Sequence, residues 1–175
     1  MSVSIHEMTV DVIVQQLSGL QGVLDKVAAY VEEKKLDPSA ILLARLSPDM
    51  YPFAKQVQVA TSWGVNIPAM IVGVAAPKLP DDASTIDALK ARVEAAIDYA
   101  KSVDAAALDG AADKVLTFPA GPAQRSMKVR DFVLHYSLPH FFFHCTTAYD
   151  IARHNGAPLA KRDFMGPVVG IIAQG

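Results

Sequence analysis

Between residues 138 and 156 the chain reads LPHFFFHCTTAYDIARHNG, which places three of its five histidines in one apolar, aromatic stretch. His140 and His144 are four residues apart. On a helix that spacing means an angular offset of about 40° and a rise of about 6 Å, so both imidazoles can converge on one ion. Two imidazoles suit zinc or nickel, but a catalytic centre ordinarily takes three protein ligands and keeps a position open. His154 lies about 15 Å further along the same helix, outside that sphere, and reads as a cation at the helix end. His135 precedes Pro139 and points elsewhere. His6 and Asp11 are remote candidates for a third ligand. The second apolar stretch supplies Asp49, Tyr51, Gln56 and Gln58 but no histidine, and a neutral amide is a poor substitute for imidazole.

The competing reading makes His140 and His144 neutral, hydrogen-bonded members of a polar seam in an aromatic core. Both readings require the two histidines on one helix face, pointing toward the second helix. Both also require neutral rings. For His140 the positive end of the helix dipole, in a first turn marked by Pro139, opposes protonation; for His144 burial does so. Cys145 adjoins His144, but neighbours on a helix diverge by about 100°, so the thiol reads as a buried structural group. Phe141, Phe142 and Phe143 point to different sides, and at least one must meet a partner helix, the tail or another subunit. Tyr149 and Arg153, four apart, can line a cleft with Tyr51, Gln56 and Trp63; these five residues form the candidate ligand-binding set.

The elements that must hold these residues follow from periodicity. Apolar residues from Val10 to Val31 recur at steps of three and four, which predicts a first helix over 9–35 whose Gly19 and Gly22 let a neighbour approach closely. Ser47, Pro48, Asp49 and Pro52 lead into a second helix over 50–73, with a kink or break near Asn66 because Pro68 removes a backbone bond. Ser84 with Asp87 resembles a capping box opening a third helix over 84–104. The runs VLTF and MKV, separated by Pro and Gly, predict a small hairpin or irregular segment within 115–130. Ser137 and Pro139 read as the cap and first turn of a fourth helix over 138–155, which ends at Arg153, His154, Asn155 and Gly156. The apolar tail, interrupted by Pro and Gly, is expected to drape over the surface. The fold class is therefore all-α: an up-and-down four-helix bundle with a hairpin before its last helix.

Composition narrows the functions. A chain of 175 residues fits one domain with a substantial core. Its 16 basic and 18 acidic side chains give no positive face for nucleic acid. A lone cysteine excludes an intrachain disulfide. MSVSIHEMTV lacks the features of a signal peptide, and IPAMIVGVAAP is too short to span a bilayer, so a cytoplasmic protein without membrane partners is expected. A hydrophobic content of 51%, with the Phe triplet and loose tail, predicts a homodimer.

FFFHCTTAYDIARHNGAPLAKRDFMG and DMYPFAKQVQVATSWG together resemble an uncharacterised bacterial family of domains of unknown function allied to the DinB/YfiT-like metalloenzymes. The resemblance runs over nearly the whole chain and implies a single DinB-like bundle spanning 1–175, often homodimeric. In better-known relatives three histidines hold a metal, one from the second helix and an H-x-x-x-H pair from a later one. The pair carries over to His140 and His144, whereas residues 50–74 contain no histidine. Two function classes follow. One is a small-molecule-binding or structural module without the full three-histidine site. The other is an enzyme of hydrolase or thiol-transferase type, with a divalent nickel or zinc ion on His140 and His144.

Overall fold

The computed structural model of the protein describes residues 4–171. A π-helical turn over Glu7–Asp11 runs directly into α1, Val12–Lys34, whose buried face carries Ile13, Leu17, Leu20, Leu24, Val27 and Val31. Lys35, at φ +52°, ends it. After a single turn, α2 at Ser39–Leu42, the chain enters α3, Phe53–Val72, with extended Pro52 at its N-cap. Pro68 lies within α3, yet the helix is unbroken to Gly73, so the expected break near Asn66 does not occur. The cost of the missing amide is borne by packing, since Ile67, Pro68, Ala69 and Ile71 are all buried.

The third long helix, α4, spans Ile86–Ser102. Its cap is Thr85, whose hydroxyl accepts from the Ala88 amide at 3.0 Å, and not Ser84 as the capping-box pattern suggested. Thr85 has the extended backbone an N-cap needs, and it stands three residues before an amide left free by the first turn. A short helix, α5 at Ala105–Asp109, follows, capped by Asp104. The hairpin is present as β1, Val115–Ala120, paired antiparallel with β2, Ala123–Lys128, through a two-residue turn. Gly121 at φ +63° followed by a proline suits that tight turn.

The last long helix departs from expectation at its start. α6, Val129–Phe132, passes through a π-helical turn over Val133–Ser137 into α7, Leu138–His154, so the helical run begins nine residues before 138. Ser137 is not a cap: it has helical backbone angles, and its hydroxyl donates back to the Val133 carbonyl. Pro139 cannot donate to the preceding turn, and the wider π turn immediately before it lets the helix continue. His140 therefore does not face a free helix N-terminus, contrary to the expectation from Pro139. Asn155 and Gly156, at φ +95°, end α7 as predicted. The tail crosses α1 through a five-residue helix, α8, Lys161–Met165. There Gln15 and Gln16 donate to the Met165 and Phe164 carbonyls, and Lys26 pairs with Asp163 at 2.8 Å.

The four long helices form a bundle in which α1 packs against α4 and α7, and α3 against the same two. It is not a simple up-and-down arrangement. Gln58 in α3 donates to Asp81 just ahead of α4, and Thr61 and Ser62 bond Arg92 in the second turn of α4, so α3 and α4 start at the same end. α1 runs opposite to α4, since His6 bonds Asp109 while Asp25 pairs with Lys90. α7 runs opposite to α3. The order is up, down, down, up. The thirteen residues 73–85, extended at about 3.3 Å each, span about 40 Å, enough to retrace the roughly 30 Å length of α3. α1 and α3 meet across the bundle centre at Gly64, where a Cβ would stand 3.0 Å from Leu17 Cδ1.

Candidate functional site

The antiparallel seam between α3 and α7 carries the chemistry. Gln56, 1% exposed, donates its Nε2 to the Tyr51 carbonyl at 3.1 Å, while its Oε1 lies 2.7 Å from His144 Nδ1. Two turns further along α3, Trp63 stacks on His140 at 4.8 Å and 27° between ring planes. Tyr136 packs against both and joins them to Phe118 of the hairpin and to Phe132. Both histidines thus face the second long helix, but His140 lies at the protein surface and His144 is only half-buried. Burial, and secondarily the neighbouring charge of His140, pushes His144 down from 6.5 to about 4.

A cavity of about 230 Å³ opens beside this pair, lined by Asp49, Met50, Tyr51, Gln56, Phe143 and His144. Its walls are largely apolar, and Tyr51 and Phe143 are more than half exposed at its mouth. His144 Nε2 has no hydrogen-bond partner among the described residues. A broader trough of about 1060 Å³ separates the π turn of α1 from Lys128, Arg130 and His135. None of its polar side chains is buried, so nothing there holds a group in a set orientation.

Of the five residues selected for a ligand cleft, Tyr51 and Gln56 share the cavity with His144. Trp63 lies two turns away, with His140. Tyr149 turns to the other side of α7 and meets Phe164 of α8 at 5.8 Å, and Arg153 reaches toward the Ala157 carbonyl. Phe143 and Met50 complete the cavity. The Phe triplet fans out as its consecutive spacing requires: Phe141 is buried, Phe142 half-buried and Phe143 exposed. Cys145 is buried against apolar neighbours, which raises its thiol pKa and leaves it unreactive.

The donor set does not fit a resident divalent metal. Gln56 is the α3 side chain bonded to His144, and both ends of its amide are engaged, one with His144 and one with Tyr51. His6 pairs loosely with Asp11 at 3.9 Å. No three histidine, cysteine or carboxylate side chains converge on one point among the described residues.

Sequence reasoning also passed over Arg92. It is 5% exposed, and its guanidinium bonds Thr61, Ser62 and the Gln58 carbonyl of α3 and the Pro80 carbonyl of the returning loop. The signal was present: Arg92 falls between Leu89 and Val93 on the apolar face of α4, where a charge must have a buried partner set.

Depression of His144 sets a pH dependence. The unfolded chain takes up this proton near pH 6.5, whereas the folded state refuses it until about 4. The contribution is complete above pH 6.5 and is lost progressively as pH falls toward 4. Urea midpoints of the protein should therefore drop between pH 7.5 and 5. His144→Gln should flatten that dependence, and equal slopes in the two proteins would show that His144 is not the titrating group.

The fold, four long helices with a hairpin ahead of the last long one, is DinB-like. The crystal structure of a DinB family member protein from Shewanella denitrificans matches it with a TM-score of 0.85 at 29% identity, over 96% of this chain and 95% of that one. Residues 5–165 match the family described as a domain of unknown function, DUF1993, and the chain belongs to that family. No curated protein matches. None of the described helices is long and apolar enough to cross a membrane.

Proposed function

We propose that the protein is a small-molecule-binding module whose ligand sits in the cavity between the start of α3 and the middle of α7. One observation carries this reading: a half-buried His144, held in place by Gln56, leaves an unbonded ring nitrogen beside a largely apolar space of about 230 Å³. A solvated surface histidine needs no buried amide to orient it. Tyr51, Met50 and Phe143 supply apolar contact, and His144, oriented by Gln56, supplies the polar end, the division of labour found in ligand sites.

Titration of isotope-labelled protein with small aromatic alcohols and amines tests this. Amide signals of Tyr51, Gln56, Phe143 and His144 should move together and saturate. The double variant Tyr51→Ala, Phe143→Ala should weaken binding about tenfold or more with the helical spectrum unchanged. Binding that survives the double variant places the ligand elsewhere. A stoichiometric transition metal released by His140→Ala or His144→Ala would replace this reading with a metal-dependent one.

A further inference from the structure

We propose that Gln56 sets the tautomer of His144 and so restricts the cavity to ligands that donate a hydrogen bond, a small aromatic alcohol being the class that fits. The inference deepens the reading of this cavity as a ligand site. It starts from the Tyr51 carbonyl, which can only accept. Gln56 must therefore turn its NH₂ toward Tyr51, as the 3.1 Å contact records, and its Oε1 toward His144. A flipped amide would set oxygen against oxygen on a Gln56 side chain that is only 1% exposed. Oε1 in turn can only accept, so the proton of a neutral His144 resides on Nδ1, 2.7 Å away.

The consequence falls on the other nitrogen. With Nδ1 protonated, Nε2 presents a lone pair, and a chain of one-way bonds running back to a main-chain carbonyl prevents the ring from exchanging roles. A ligand atom meeting Nε2 must supply a hydrogen. Asp49, whose carboxylate is bonded by the Ser47 hydroxyl, also lines the cavity and disfavours a second negative charge. Met50, Tyr51 and Phe143 leave room for a ring. A phenolic hydroxyl satisfies the lone pair, whereas a carboxylate on the same ring brings lone pair against lone pair.

Long-range proton–nitrogen spectra of histidine-labelled protein at neutral pH read the tautomer directly, with His144→Gln providing the assignment. The expected result is a protonated Nδ1 and a bare Nε2. A proton on Nε2 in the wild-type protein overturns the proposal whatever the ligand, and needs no variant to fold. Gln56→Leu should release the ring to a mixture of tautomers. For the ligand class the probes are p-cresol and p-toluate: p-cresol should move the Nε2 signal, and p-toluate should bind about tenfold more weakly or worse. Equal binding of the two overturns the restriction to donors. The bare-Nε2 tautomer with neither probe bound would instead count against the cavity as a ligand site, and the assigned ligand class would fall with it.

Discussion

Replacing Arg92 by methionine should destabilise the protein by about 2–4 kcal/mol, the largest effect expected of a single side chain outside the apolar core. Methionine fills much of the space, so poorer packing is a minor part of the effect. What disappears is a charged donor group that satisfies the Thr61 and Ser62 hydroxyls together with the Gln58 and Pro80 carbonyls. Around a side chain only 5% exposed, the Thr61 and Ser62 hydroxyls and the Gln58 carbonyl keep bonds within α3, but each loses its charged donor, and the Pro80 carbonyl is left without a replacement partner. The same bonds tie the returning loop 73–85 to α3, helped by Gln58 donating to Asp81. The change should therefore lower the melting temperature by roughly 5–15 °C and, before global unfolding, speed amide exchange in 73–85. Arg92→Lys should recover only part of the stability, because a single ammonium cannot reproduce the fork of donors. A melting temperature within a degree of wild type for Arg92→Met would show that the network is replaceable by water.

Gly166→Ala should release the tail from α1. Gly166 stands at φ +63° and ψ −157°, a region essentially closed to side-chain-bearing residues. A Cβ there would lie 2.7 Å from the Gln15 carbonyl oxygen and 2.8 Å from the Gly19 nitrogen. Both are backbone atoms of a helix, so neither can move aside cheaply. On α1, a Cβ at Gly19 would stand 2.7 Å from the Phe164 carbonyl oxygen. Two glycines thus permit one close crossing, and filling either should cost about 2–4 kcal/mol of docking free energy. The core lies mainly between the four long helices, with Phe164 of α8 packed against its edge. The expected signature is protease cleavage within 157–171 while the helical spectrum is largely kept, as the ring of Phe164 moves away from Tyr149. Gly22→Ala is the control, because a Cβ at Gly22 meets nothing within 4 Å. A Gly166→Ala protein as resistant to protease as wild type would show that α8 shifts without detaching.

The long helices were legible from sequence because their determinants are local. Apolar steps of three and four mark each buried face, Gly156 marks the end of α7, and a Pro–Gly-rich interruption between two β-favouring runs marks the hairpin. Small residues in α1 signal a close approach, and the tail makes it at Gly19. The cap of α4 falls one residue later than the pattern suggests because Ser84 and Thr85 have equivalent chemistry, and only backbone geometry chooses between them. Pro139 looks like a helix start for a related reason. Whether a proline opens a helix or is absorbed by a π turn depends on how the flanking segment packs, here with Phe132 and Val133 both buried.

The sequence by itself determined that the chain forms a helical bundle and that His140 and His144 share one helix face, because these rest on the fixed period of the helix. Only the tertiary structure decided that α4 runs parallel to α3, since a loop of thirteen residues can return along the bundle or turn back at once. Tertiary structure alone also separated Tyr149 and Arg153 from Tyr51 and Gln56, by turning Tyr149 toward α8, and it alone made Gln56 the partner of His144. The physical reason is the same in each case. Periodicity states which side chains are buried, but which ones meet across two helices depends on crossing geometry and on the satisfaction of buried polar groups, and both are set by residues far apart in the chain.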